Sequence, residues 1–81
     1  MAKAYVKVWV QPGMERKVQT DLLAMDQFMT ADVTAGEQDL LCLVEAGSYD
    51  ELLRIVMKQL RAVSGVTRTV TNLILELDER G

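Results

Sequence analysis

The 81 residues predict an α+β sandwich in the order β-α-β-β-α-β, one four-stranded sheet with two helices on one face. Three observations predict it. A two-residue alternation suited to a strand ends at Pro12-Gly13, and two helical-period segments each follow a strand-like one. The two strand–helix units also echo each other: setting Gly13 over Gly47 places Val10 on Val44, Val18 on Leu52 and Leu22 on Val56.

The first strand spans Ala4 to Val10. Ala4, Val6, Val8 and Val10 point one way and Tyr5, Lys7 and Trp9 the other. Gln11-Pro12-Gly13 ends it in a turn. From Met14 to Met25 the apolar set Met14, Val18, Leu22 and Met25 forms one stripe of an amphipathic helix. A second strand, weakly patterned, is expected from about Gln27 to Ala35, and Gly36 to Asp39 reads as a tight polar connection. Leu40 to Glu45 is nearly continuous apolar sequence, as in a strand covered on both faces.

Ser48-Tyr49-Asp50-Glu51 is a capping box that opens the second helix. Tyr49, Leu52, Leu53, Val56, Leu60 and Val63 form its stripe, and Gly65 closes it with the left-handed backbone that glycine tolerates. Val66 to Leu77, rich in Val, Thr, Ile and Leu, is the final strand, with Asp78 to Gly81 a frayed tail. Strands joined through helices run the same way and the central pair forms a hairpin, which defines the split-βαβ, or ferredoxin-like, sandwich.

Two helices shield only one face of such a sheet. Some of Tyr5, Trp9, Leu41 and Leu43 then lie on the open face, an apolar patch that calls for a partner surface. A domain this short buries only roughly 60% of its unfolded surface. With one cysteine and no histidine, neither a disulfide nor a metal supplements its core. A second copy meeting the first sheet to sheet, in the manner of a dimeric α+β barrel, is the expected remedy.

Composition narrows the function classes. A net charge of −3 without a basic cluster disfavours direct binding to nucleic acid. No apolar run is long enough to span a membrane and the N-terminus lacks a signal-peptide core, so a cytoplasmic protein is expected. Without histidine the usual acid–base chemistry is missing, and Cys42 lies in apolar sequence with nothing to activate it. No catalytic residue, cofactor or metal ligand is expected.

What remains is Thr34 to Asp39, together with Thr67, Thr69 and Thr71. A glycine followed three residues later by aspartate offers backbone amides and a carboxylate, which suit a zwitterion such as an amino acid. The same residues also serve as a plain hairpin turn in which Gly36 adopts positive φ and Asp39 caps a backbone amide.

The element order, Pro12-Gly13 after the first strand, Gly36-x-x-Asp39-Leu-Leu, Ser64-Gly65-Val66 and Thr69-x-Thr71-x-Leu73 together resemble the RAM (regulation of amino acid metabolism) domain of Lrp/AsnC-type transcription regulators, over roughly Ala4 to Leu77. The resemblance implies a single effector-binding and oligomerisation domain over residues 1–81, without the helix-turn-helix that such regulators carry. It also implies dimers joined through their sheets, often assembled into octameric rings. A small effector, typically an amino acid, would bind between subunits at Gly36, Gln38 and Asp39 with Thr69 and Thr71. Gln38 stands where the family often has an aromatic or small residue. Co-assembly with a full-length regulator is a further implication.

Three other readings share much of this pattern. An ACT-type amino-acid-binding module has the same element order but places its ligand near Gln11 to Met14. A small dimeric α+β-barrel enzyme would use Tyr5 and Trp9 as cavity walls. A purely structural oligomerisation piece would bind no ligand.

Overall fold

In the computed structural model, which describes residues 1–76, β1 (Ala2–Val10) carries its alternation into space. Ala2, Ala4, Val6, Val8 and Val10 are buried, while Lys3, Tyr5, Lys7 and Trp9 occupy the opposite face. Met14 N then donates to the Gln11 carbonyl at 3.0 Å across Pro12-Gly13, with Gly13 at φ +85°. Proline followed by a positive-φ glycine is the signature of a type II turn.

α1 (Glu15–Leu23) buries Val18 and Leu22, and Met14 and Met25 pack at its two ends, outside the helix proper. β2 (Phe28–Val33) buries only Phe28 and Ala31, because its pairing slips between Phe28 and Thr30. One residue added to a strand reverses the facing of all that follow, which explains the weak periodicity of this segment. β3 (Leu40–Ala46) buries Leu40, Cys42, Val44 and Ala46, and leaves Leu41, Leu43 and Glu45 half-buried.

Ser48 Oγ accepts from Glu51 N at 3.1 Å and starts α2 (Tyr49–Arg54). Glu51 Oε2 reaches back to Gly47 N at 3.3 Å, one residue beyond the expected amide. The helix continues as a π-helical segment over Ile55–Leu60. The buried stripe differs from the expected one: Leu52, Ile55, Val56 and Leu60 are buried, whereas Tyr49 and Leu53 are exposed. A four-residue step overshoots an α turn of 3.6 residues, and the looser i→i+5 winding offsets that drift between Val56 and Leu60. Gly65, at φ +101°, closes the helical connection as expected.

β4 (Val66–Leu73) is shorter than the expected strand, although Ile74 N still donates to the Lys3 carbonyl at 2.9 Å. Leu77 and the tail Asp78–Gly81 lie outside the described residues. The sheet order is β2-β3-β1-β4, and every neighbouring pair is antiparallel. Strands joined by a helix share a direction without being neighbours, so the fold is the predicted ferredoxin-like sandwich. Val10, Val18 and Leu22 and their echoes Val44, Leu52 and Val56 all lie in the single apolar core, which both helices cover from one side.

Candidate functional site

The ladder registers assign the open face residue by residue. Tyr5 pairs with Leu43 on one side and Asn72 on the other, Lys7 with Leu41 and Val70, and Trp9 with Arg68. Residues paired across a ladder share a face, so all four expected interface residues, Tyr5, Trp9, Leu41 and Leu43, lie together there. Neither helix covers them. Tyr5 is 48% exposed, and Lys3, Asp32, Glu45 and Arg68 supply a polar margin.

The connection from β2 to β3 folds over one end of this face. Trp9 Nε1 donates to the Glu37 carbonyl at 3.0 Å, and Lys7 Nζ pairs with Glu37 Oε1 at 3.1 Å. Asp39 fastens the loop to β1: its amide donates to the Val8 carbonyl at 3.0 Å, and its Oδ2 accepts from Val10 N at 2.8 Å. Gln38 closes the loop on itself, its Nε2 donating to Thr34 Oγ1 at 3.2 Å while that hydroxyl donates to the Gln38 carbonyl at 2.9 Å. Asp39 thus caps a backbone amide, as the hairpin-turn reading requires. Gly36 departs from that reading: its φ is not positive, and an added Cβ would meet nothing within 4 Å.

Beside the loop, Lys7, Trp9, Glu37, Arg68 and Val70 line an open recess of about 320 Å³. The Arg68 guanidinium lies 4.6 Å from the centre of the Trp9 ring, a cation–π contact. Both signs of charge and an aromatic wall therefore meet in one place. Sequence reasoning missed Lys7, Glu37 and Arg68 as a group. Lys7 shares the alternating face of Tyr5 and Trp9, but nothing local marks Glu37 or Arg68.

Thr69 and Thr71 pair with Val8 and Val6, whose side chains are buried under the helices. They therefore lie on the helix side of an edge strand, across the sheet from the recess. Within one chain, Gly36, Gln38 and Asp39 come together and the two threonines do not join them. Cys42 is fully buried, and burial, with the Asp32 charge second, pushes its thiol pKa up to about 12, far from a reactive thiolate. Among the described residues no three His, Cys, Asp or Glu side chains converge on a possible metal position, and no helix is long and apolar enough to cross a membrane.

Residues 3–78 match the family model described as the Lrp/AsnC ligand binding domain. An uncharacterized HTH-type transcriptional regulator of Pyrococcus horikoshii is 37% identical over 57 residues, 70% of this chain. The chain accounts for only 38% of that regulator's length through this match. The crystal structure of FFRP-DM1 superposes with a TM-score of 0.89 at 29% identity, covering 93% of this chain and 100% of that one. A transcriptional regulator of Neisseria meningitidis, crystallised as its L-Met complex, shares the fold with a TM-score of 0.83 at 16% identity, over 93% of this chain and 50% of its own. On the family match over nearly its whole length, carried on the ferredoxin-like sandwich described above, this chain belongs to the Lrp/AsnC ligand binding domain family.

Proposed function

We propose that the chain is an effector-binding and oligomerisation module of transcription regulation, not an enzyme, and that its effector is an amino acid. The observation that carries this reading is the uncovered sheet face. Tyr5, Trp9, Leu41 and Leu43 form an apolar surface without a helix over it, and at one end the Gly36–Asp39 loop frames a recess lined by both signs of charge. Two copies meeting through this face form a homodimer in the manner of an α+β barrel, and dimers join further, up to an octameric ring. The L-Met complex of the Neisseria regulator supports the ligand class.

In this reading the effector sits between copies. Backbone amides of Gly36 and Gln38 and the carboxylate of Asp39 hold it from one copy. Thr69 and Thr71, which face away from that loop in their own chain, come from another. A ligand that bridges two copies binds one assembly state more tightly and so shifts the assembly equilibrium. In the cytoplasm the module influences transcription by co-assembling with a full-length regulator of the same family.

The test is thermal unfolding with each of the twenty amino acids, alongside light scattering. A ligand at 100 times its Kd stabilises by about 2.7 kcal/mol, and in a domain this small each kcal/mol raises Tm by about 4 to 8 °C. One clear responder and a mass above the monomer are expected. A folded monomer at micromolar concentration refutes the assembly. A second reading, an assembly piece without ligand, is favoured by the Asp39–Val10 bond, since that carboxylate already serves the turn. An oligomer indifferent to all twenty amino acids selects it.

A further inference from the structure

A second recess of about 340 Å³ lies along the sheet edge formed by β4, lined by Arg61, Val66, Thr67, Arg68 and Thr69. Four consecutive strand residues, Val66 to Thr69, do not ordinarily line one hollow, because neighbours alternate between faces. Here the register slips: Trp9 pairs with Arg68 but Val10 with Val66, leaving Thr67 as the extra residue of a bulge. Bulges at sheet edges re-aim side chains in this way. Arg61 comes from the turn that follows the π-helical segment, so the helix end and the strand each contribute one arginine.

The lining is chemically one-sided. It offers two arginines and two threonine hydroxyls, and no carboxylate. Among the described residues neither arginine has an ion-pair partner. In a chain of net charge −3 this is a local concentration of positive charge, and one arginine is held in place against Trp9. Planar guanidinium forks with hydroxyl donors beside them are the usual partners of carboxylates and phosphates.

We infer that this edge recess binds a small oxyanion, a carboxylate or a phosphate, gripped by Arg61 and Arg68 with Thr67 and Thr69. The site is separate from the Gly36–Asp39 loop and does not depend on that loop taking an effector. Thr69 is common to both, and Arg68 also borders the recess beside the loop, so Arg61 is the residue that distinguishes them. Because Arg68 stacks on Trp9, the only tryptophan, occupancy is visible in its fluorescence.

The test titrates the full chain with sodium acetate, sodium phosphate or sodium chloride at matched ionic strength. Trp9 fluorescence and the backbone amide shifts of Thr67 and Thr69 are followed by spectroscopy. A saturable response to acetate or phosphate, but not to chloride, is expected, and the salt that produces it identifies the ligand class. Arg61→Gln weakens binding by about tenfold or more, as loss of a charged hydrogen-bonding group does. Arg61→Lys restores only part of it, because the fork is gone. Arg16→Gln, the same charge change at the opposite edge of the fold, leaves binding as it was. Absence of saturation with both oxyanions overturns the inference. So does an equal loss in Arg16→Gln and Arg61→Gln, or a response confined to the amides of Glu37 to Asp39.

Discussion

Replacing Asp39 with alanine removes the carboxylate that accepts the Val10 amide and ties the β2–β3 loop to the end of β1. Asp39 Oδ2 takes the Val10 amide at 2.8 Å in a part-buried position, and Val10 itself is 8% exposed. The backbone bonds from Asp39 N to the Val8 carbonyl and from Thr34 N to the Asp39 carbonyl survive the change. What is lost is one charge-assisted bond, worth about 1.5 to 3 kcal/mol, taken at about 1.5 to 2 because solvent reaches part of the carboxylate. At about 4 to 8 °C per kcal/mol, Tm should fall by roughly 6 to 16 °C. Asp39→Asn keeps an acceptor oxygen without the charge and should lose about 0.5 to 1 kcal/mol. Calorimetric melts of the three proteins at one fixed protein concentration check this, since assembly makes Tm concentration-dependent. An alanine variant that melts within about 2 °C of the parent refutes the anchoring role. A loss of ligand response in Asp39→Ala means loss of a ligand contact only if Asp39→Asn, nearly as stable as the parent, loses it too.

Gly65→Ala should cost about 1 to 3 kcal/mol in urea unfolding, since φ is +101° and the new Cβ would stand 3.0 Å from Met14 Cε and 3.1 Å from Val18 Cγ2. Gly36→Ala, with open space and no positive φ, should stay within about 0.5 kcal/mol of the parent, and a larger loss would contradict the loop geometry. Cys42 links stability to alkaline pH: its folded pKa is raised from 9.0 to about 12, by burial first and the Asp32 charge second. Above about pH 9 the unfolded chain releases this proton while the folded one keeps it, so stability present below that pH declines towards pH 12, by at most about 1.4 kcal/mol per unit. Urea unfolding of the parent against Cys42→Ala over this window isolates the effect, and parallel curves would disprove it. Leu43→Glu puts a charge opposite Tyr5 on the open face and should yield a folded monomer by light scattering; an intact oligomer would move the interface elsewhere.

Much of the candidate site was legible residue by residue but not as an arrangement. Alternation put Tyr5 and Trp9 on one face of β1, because the period of a strand is local, while only the ladder register set Leu41 and Leu43 beside them. Gly36-x-x-Asp39 marked the loop for the same reason: turn chemistry is confined to a few neighbours. Thr69 and Thr71 are expected to join that loop across subunits, and within one chain the register with Val8 and Val6 puts them on the helix side. Lys7, Glu37 and Arg68 meet only because β1 lies between β3 and β4, and no short-range pattern encodes that meeting.

The sequence by itself determined the element order, the capping at Ser48, the turn at Pro12-Gly13, the helix stop at Gly65 and the two alternating faces of β1. All of these follow from backbone preference and periodicity within a few residues. Tertiary structure decided the bulges at Met29 and Thr67, the π-helical winding over Ile55–Leu60, and the grouping of charges around Trp9. Those features settle how elements distant in the chain fit against one another. Packing fixes them through contacts that propensity and local spacing do not carry.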